Sequence, residues 1–326
     1  MELLFILFCT SSIISYAGYM IGLKYSKDRL IVLFWASVST YIGYLGLLSI
    51  RKTFFGHNIR AMEEIIYQFT LTNMPLYILM AISAVTSLAL LNYLLDRFDV
   101  SLVVPVTETG ILFTTIGYII LGEHFSYTTL ISVLIVFLGA IISGLDSLPF
   151  KKPLQVIKKF PPLLLIGGVL ESLCEAGTLI ITFICTNTTP VTEKIMVWLT
   201  TTFEHIHHIP FNFLHPFYYN LGVRFFIVII FFMYITLIKK YGLKIFTDYK
   251  NHFWNIITVS ICFLIYIVTY HEAFNHIQEK SILEALSKLS IPTILAISYF
   301  TLSEKLTPPK LVGCVVILLG GVLILL

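Results

Sequence analysis

Charge is what this sequence has least of. Only 12% of its 326 residues are Asp, Glu, Lys or Arg, about half the share of a soluble domain. The formal net charge of +3 is small and spread over loops. That excludes an electrostatic footprint for nucleic acid. No GxxxxGK[ST] stretch is present, which argues against direct drive by ATP. The five cysteines (Cys9, Cys174, Cys185, Cys262 and Cys314) form no CxxC pair and lie in or near apolar runs. They read as buried free thiols. No stretch alternates apolar and polar residues over strand lengths, which argues against a membrane barrel. The apolar N-terminus lacks the basic segment of a secretory signal, so it reads as a first membrane span.

Apolar residues fill the space that charge leaves. They make up 57% of the chain, and the mean hydropathy is +0.91. Backbone polar groups cannot stay unpaired in lipid, so helices are required. Taken in order, the runs predict ten spans: Leu3–Leu23, Leu30–Ile50, Pro75–Leu95, two within Ser101–Leu145, Pro161–Cys185, Tyr219–Ile238, Phe253–Asn275, and two within Ser281–Leu326. The expectation is an all-α polytopic membrane protein of ten transmembrane helices, in a bacterial-type inner membrane. Residues 1–145 and 161–326 form two five-helix halves. The linker 146–160 joins them, and 186–218 is a long loop.

The halves share a pattern at an offset of 181 residues. Glu123 falls on Glu304, Ser126 on Thr307, Leu138 on Leu319 and Gly139 on Gly320. In each copy a glutamate turn, Gly122-Glu123-His124 or Ser303-Glu304-Lys305, separates two apolar runs. Each glutamate precedes a Ser or Thr able to cap the next helix, and its carboxylate can accept from free backbone N–H groups. Glu123 and Glu304 are therefore expected to be structural. An odd number of spans per half inverts one half relative to the other, the plan of many secondary transporters.

Leu121-Gly122-Glu123-His124-Phe125-Ser126, the helix ending Leu138-Gly139-Ala140, the second copy in Leu302–Thr307 with Leu319-Gly320-Gly321, Pro105, and Tyr25–Asp28 together resemble the drug/metabolite transporter superfamily, EamA-type. Ser303 stands where the family has glycine, and Leu286 where it has the proline. The resemblance implies ten helices, transport of a small solute, and a cavity lined by spans 1, 3, 4, 6, 8 and 9.

Polar residues inside spans carry the functional expectation, because a charge at mid-bilayer costs about 2.5–3.5 kcal/mol on insertion scales and usually faces a cavity or a partner. Candidates for solute binding or proton coupling are Asn92, Glu108, Glu171, Glu175, Tyr270, His271, Glu272, Glu284 and Lys288. Glu171/Glu175 and Glu284/Lys288 are each four apart, on one helical face. Lys288 corresponds to Thr107, so Glu108 and Lys288 are expected at similar depth. Carboxylates outnumber Lys288 and Arg224. One explanation is an acidic cavity for an amine, amino-acid-like or other cationic or zwitterionic solute. The other is proton coupling, with His271 as a possible relay. A structural Glu284–Lys288 pair and an interfacial His271-Glu272 compete with both. Tyr16, Tyr19, Trp35, Tyr41 and Tyr270 can form an aromatic cage for a cation.

Glu204, His205, His207, His208 and His215 look superficially like a metal site. The further histidine boxes of a membrane oxygenase are absent, so the segment reads as a solvated loop. No catalytic centre, metal or cofactor is expected. The expected partners are a small-molecule solute and membrane lipids, not nucleic acid, with the protein as monomer or homodimer. A membrane metalloenzyme and a channel or scramblase are the alternative readings. Loops after odd-numbered spans carry 14 Lys/Arg against five after even-numbered ones, which places both termini outside. The family resemblance points to termini inside.

Overall fold

The structure is a computed structural model that describes residues 2–55, 74–145, 161–203, 216–242, 244–277 and 279–325. Among these there is no strand. The protein is an all-α, integral, multi-pass membrane protein, with eight helical segments among the described residues long and apolar enough to cross a bilayer.

The first segments are α1 (Glu2–Tyr25), α2 (Arg29–Phe55) and α3 (Met74–Leu95). The next expected span is two helices, α4 (Val100–Thr107) and α5 (Gly110–Ile120). After the Glu123 turn comes α6 (Tyr127–Ser143), then α7 (Pro162–Thr186). The connection 186–218, expected as a loop, carries the helix α8 (Pro190–Phe203). Then follow α9 (Pro216–Met233, extended by a π-turn to Ile238), the short α10 (Lys244–Thr247) and α11 (Phe253–His276). The ninth expected span is also divided, into α12 (Lys280–Ser287) and α13 (Ser290–Thr301), and α14 (Pro308–Leu323) closes the chain. With 17 and 16 residues, α6 and α14 fall short of the about 20 that a hydrocarbon core of about 30 Å asks for.

Local chemistry explains the second break. Pro292, in the first turn of α13, removes the N–H that would donate to the Lys288 carbonyl and crowds that turn. Pro105 lies inside α4, which continues past it to Thr107. At both breaks the chain tightens to bonds three residues back: Thr109 N–H to the Val106 carbonyl (3.3 Å) and Leu289 N–H to that of Leu286 (3.0 Å). The Ser172 hydroxyl of α7 donates to the carbonyl of Thr107 at 2.5 Å, satisfying an acceptor that the break releases.

Pairings between the parts recur. α1 packs on α11 and α7 on α3; α2 packs on α11 and α9 on α3; α5 packs on α7 and α13 on α1; α4 meets α13 and α12 meets α5. α6 packs along α14, and α2 meets α9. The α6–α14 seam brings backbone against backbone. A Cβ on Gly313 would stand 2.5 Å from the Ser143 nitrogen and 2.6 Å from the Gly139 oxygen. Small residues at such crossings permit close packing in lipid. Large side chains such as Ile120 and Phe300, 69% and 80% exposed, face outward, a pattern suited to hydrocarbon rather than water.

The glutamate turns act across the molecule. Glu304 accepts from the N–H groups of Val100 and Ser101, both at 3.0 Å, at the N-terminus of α4. Glu123 accepts from the Lys280 N–H at the start of α12. Each carboxylate thus caps a broken helix distant in the sequence, where free donors and the helix dipole favour negative charge. Ser126 also caps its own helix, accepting from the Thr129 N–H at 3.0 Å. Thr307, in the matching position, makes no side-chain cap to α14, whose first residue, Pro308, has no N–H to satisfy. Burial pushes the Glu123 carboxyl up to about 7, although the Lys280 N–H holds it down.

Candidate functional site

The breaks in the two divided helices put Glu108 and Lys288 outside regular helix. Lys288 Nζ donates to Glu108 Oε2 at 2.5 Å, and both side chains are buried. The structural pair of Lys288 with Glu284, one of the competing readings, does not form. Lys288, the C-terminal cap of α12, instead reaches across to Glu108 at the interruption of the opposite half-helix. Glu284 instead accepts from the Tyr270 hydroxyl of α11. The ion pair therefore joins two discontinuous helices, at their interruptions.

The pair faces a small pocket of about 20 Å³, bounded also by Ser12 and Tyr16 of α1, Glu175 of α7, Tyr266 and Tyr270 of α11, and Glu284. A second chamber, about 130 Å³, adjoins it. Glu175, Leu179, Tyr266 and Tyr270 line both. The second also presents Ser87, Thr178, Thr182, Arg224 and His271. Glu175 forms no hydrogen bond or ion pair among the described residues, so its carboxylate is open to a guest.

The remaining candidates are placed as follows. Glu171 lines neither chamber; it is buried one turn from Glu175 and accepts from Ser87 Oγ at 2.8 Å, while its other oxygen has no partner. It reaches the second chamber only through Ser87. Asn92 is buried with its side-chain oxygen unpartnered, and Glu272 is partly buried; neither lines these chambers. The i, i+4 spacing of Glu171 and Glu175 thus does not put both on the chamber wall. Neighbouring His271 and Glu272 diverge for the usual reason: they are about 100° apart on one helix.

The aromatic group expected as a cage is dispersed. Tyr16 and Tyr270 line the acidic chamber, whereas Trp35 donates to the Ile245 carbonyl at 3.0 Å and Tyr41 packs on Phe225. Tyr19 stacks on Phe263. Tyr266, which the sequence did not mark, sits between Tyr16 and Tyr270, with ring centroids 4.9 and 5.9 Å away. It lies four residues before Tyr270, and that spacing was the available signal.

Glu204, His205, His207, His208 and His215 lie outside the described residues. Among the described residues, no group of three His, Cys, Asp or Glu stands close enough to hold a metal ion. Compared with protein-family models and with curated proteins, the chain matches none.

Proposed function

We propose that this chain is a secondary carrier, similar in plan to the drug/metabolite transporters, that moves a small cationic or zwitterionic metabolite by alternating access. Its ten spans are two inverted five-helix repeats, α1–α6 and α7–α14, with α8 and α10 as additions. The repeated pairings, α1 on α11 with α7 on α3 and α2 on α11 with α9 on α3, support that plan. So does the exchange of caps between Glu123 and Glu304. In carriers of this kind, discontinuous helices meet at the solute site between the repeats.

The observation that carries the reading is the buried Glu108–Lys288 pair, held between two helix interruptions on the wall of a polar chamber. A purely structural core has no need to place an ion pair and an open carboxylate, Glu175, around a space. Rocking of the halves would lengthen or shorten this pair. A proton or an amine can replace Lys288 at Glu108, which links occupancy to conformation.

The test is a solute screen by thermal stabilisation of the purified protein, followed by counterflow in reconstituted vesicles. A stabilising solute should enter faster when the vesicles are preloaded with it unlabelled, as a carrier requires and a channel does not. Glu108→Gln should abolish this acceleration or alter its pH dependence. Wild-type rates and wild-type pH dependence in that variant would discard the role given to Glu108.

A further inference from the structure

Arg224 is an intramembrane cation that the Glu108–Lys288 pair leaves out. It sits on α9, is 9% exposed, and lines the larger chamber. Among the described residues it forms no ion pair, and its Nε has no hydrogen-bond acceptor. Its guanidinium stands 5.1 Å from the Phe263 ring centroid. A ring face is only a partial counter-charge. Arginine cannot discharge itself by losing a proton. A buried guanidinium with no carboxylate is an unfinished site.

A second observation points the same way. His271, 8% exposed, lines the same chamber, and its Nδ1 has no partner. Both groups can donate to a guest, and a guanidinium matches the geometry of an oxyanion. The nearby wall adds the hydroxyls of Thr178 and Thr182, but these already donate to backbone carbonyls one turn earlier. The open donors on this wall therefore include those of Arg224 and His271, and Glu175 is an open acceptor where the two chambers meet.

We propose that Arg224 and His271 form an oxyanion subsite, which takes the carboxylate or phosphate of the guest while Glu175 takes its ammonium group. The guest class is thereby narrowed from cationic or zwitterionic to zwitterionic. This deepens the carrier reading, on which only the word transport depends; binding at the subsite does not.

The experiment reads equilibrium binding to the full-length protein in detergent at constant ionic strength. The probes are acetate, inorganic phosphate, leucine and isopentylamine (leucine's skeleton without its carboxylate), each titrated against thermal unfolding. At least one of the two simple anions should stabilise the wild type. Arg224→Met should weaken that response at least tenfold while leaving the response to isopentylamine alone. Glu175→Gln should do the converse. Arg224→Met should also raise the melting temperature of the unliganded protein, because it removes an uncompensated buried charge; Arg224→Lys, which keeps the charge, should not. A preference for acetate or for phosphate identifies the guest's anionic group. Anion responses equal in the wild type and Arg224→Met, or absent from both, overturn the subsite, as does a fall in the unliganded melting temperature of Arg224→Met. A protein that binds anions through Arg224 yet shows no counterflow would refute the carrier reading and leave the subsite standing.

Discussion

Breaking the Glu108–Lys288 pair should be among the most damaging single changes in this protein. Both side chains are at most 4% exposed, with the contact at 2.5 Å. Removing one partner of a buried pair leaves an uncompensated charge and costs about 3–5 kcal/mol. The two single variants should differ. Glu175 and Glu284 line the same chamber, so Lys288→Met leaves three carboxyl groups around one space without their cation. Glu108→Gln leaves a cation that two carboxylates can still reach, so its cost falls at the lower end of the range. Replacing both partners, as Glu108→Gln with Lys288→Met, should return stability to within about 1–2 kcal/mol of wild type, because a neutral pair strands no charge. The coupling in the double-mutant cycle should then exceed about 2 kcal/mol, a size reserved for groups in direct contact. Denaturant unfolding in mixed micelles provides the assay, with counterflow in vesicles beside it. The double variant should be folded yet inactive. If both single variants unfold within about 0.5 kcal/mol of wild type, the pair is not the buried contact described, and the argument from it fails.

Three further outcomes follow from the backbone and the turns. Ser303 adopts φ 56 at the position where Gly122 adopts φ 85; a side chain there is strained by about 1–2 kcal/mol, so Ser303→Gly should raise the melting temperature by the equivalent of up to about 1 kcal/mol once glycine's extra unfolded freedom is subtracted. Gly313→Ala places a Cβ 2.5 Å from the Ser143 nitrogen, with backbone on both sides unable to yield, so it should cost about 1–3 kcal/mol and lower the melting temperature. Glu123 titrates at about 7 when folded against an ordinary 4.5. Between those values the folded protein holds a proton that the unfolded chain has lost, so this group's contribution is full below about pH 4.5 and fades as pH rises to about 7. Melting temperatures measured between about pH 5 and about pH 8 should show that decline, and Glu123→Gln should flatten it. An unchanged slope in the variant would contradict the burial assigned to Glu123.

Composition alone determined that this chain is a bundle of helices in lipid. A backbone surrounded by hydrocarbon has no partner but itself, and runs of about 20 apolar residues admit little else. The turns at Glu123 and Glu304 were also legible, because a recurring Gly/Ser-Glu break between apolar runs is a local signal. Which helix each glutamate caps was not, since its partners are 157 and 204 residues away. The breaks at Glu108 and Lys288 escaped notice because both stand in runs whose hydropathy is continuous. The i, i+4 spacing offered Glu284 as a partner for Lys288, and only the meeting of the two interrupted helices gives it Glu108 instead. Arg224 looked peripheral in the sequence, near one end of an apolar run. Only the packing of α9 against α2, α3 and α11 turned it into a chamber wall. Sequence records which charges enter the membrane; folding decides which of them are neutralised by one another and which remain open to a guest.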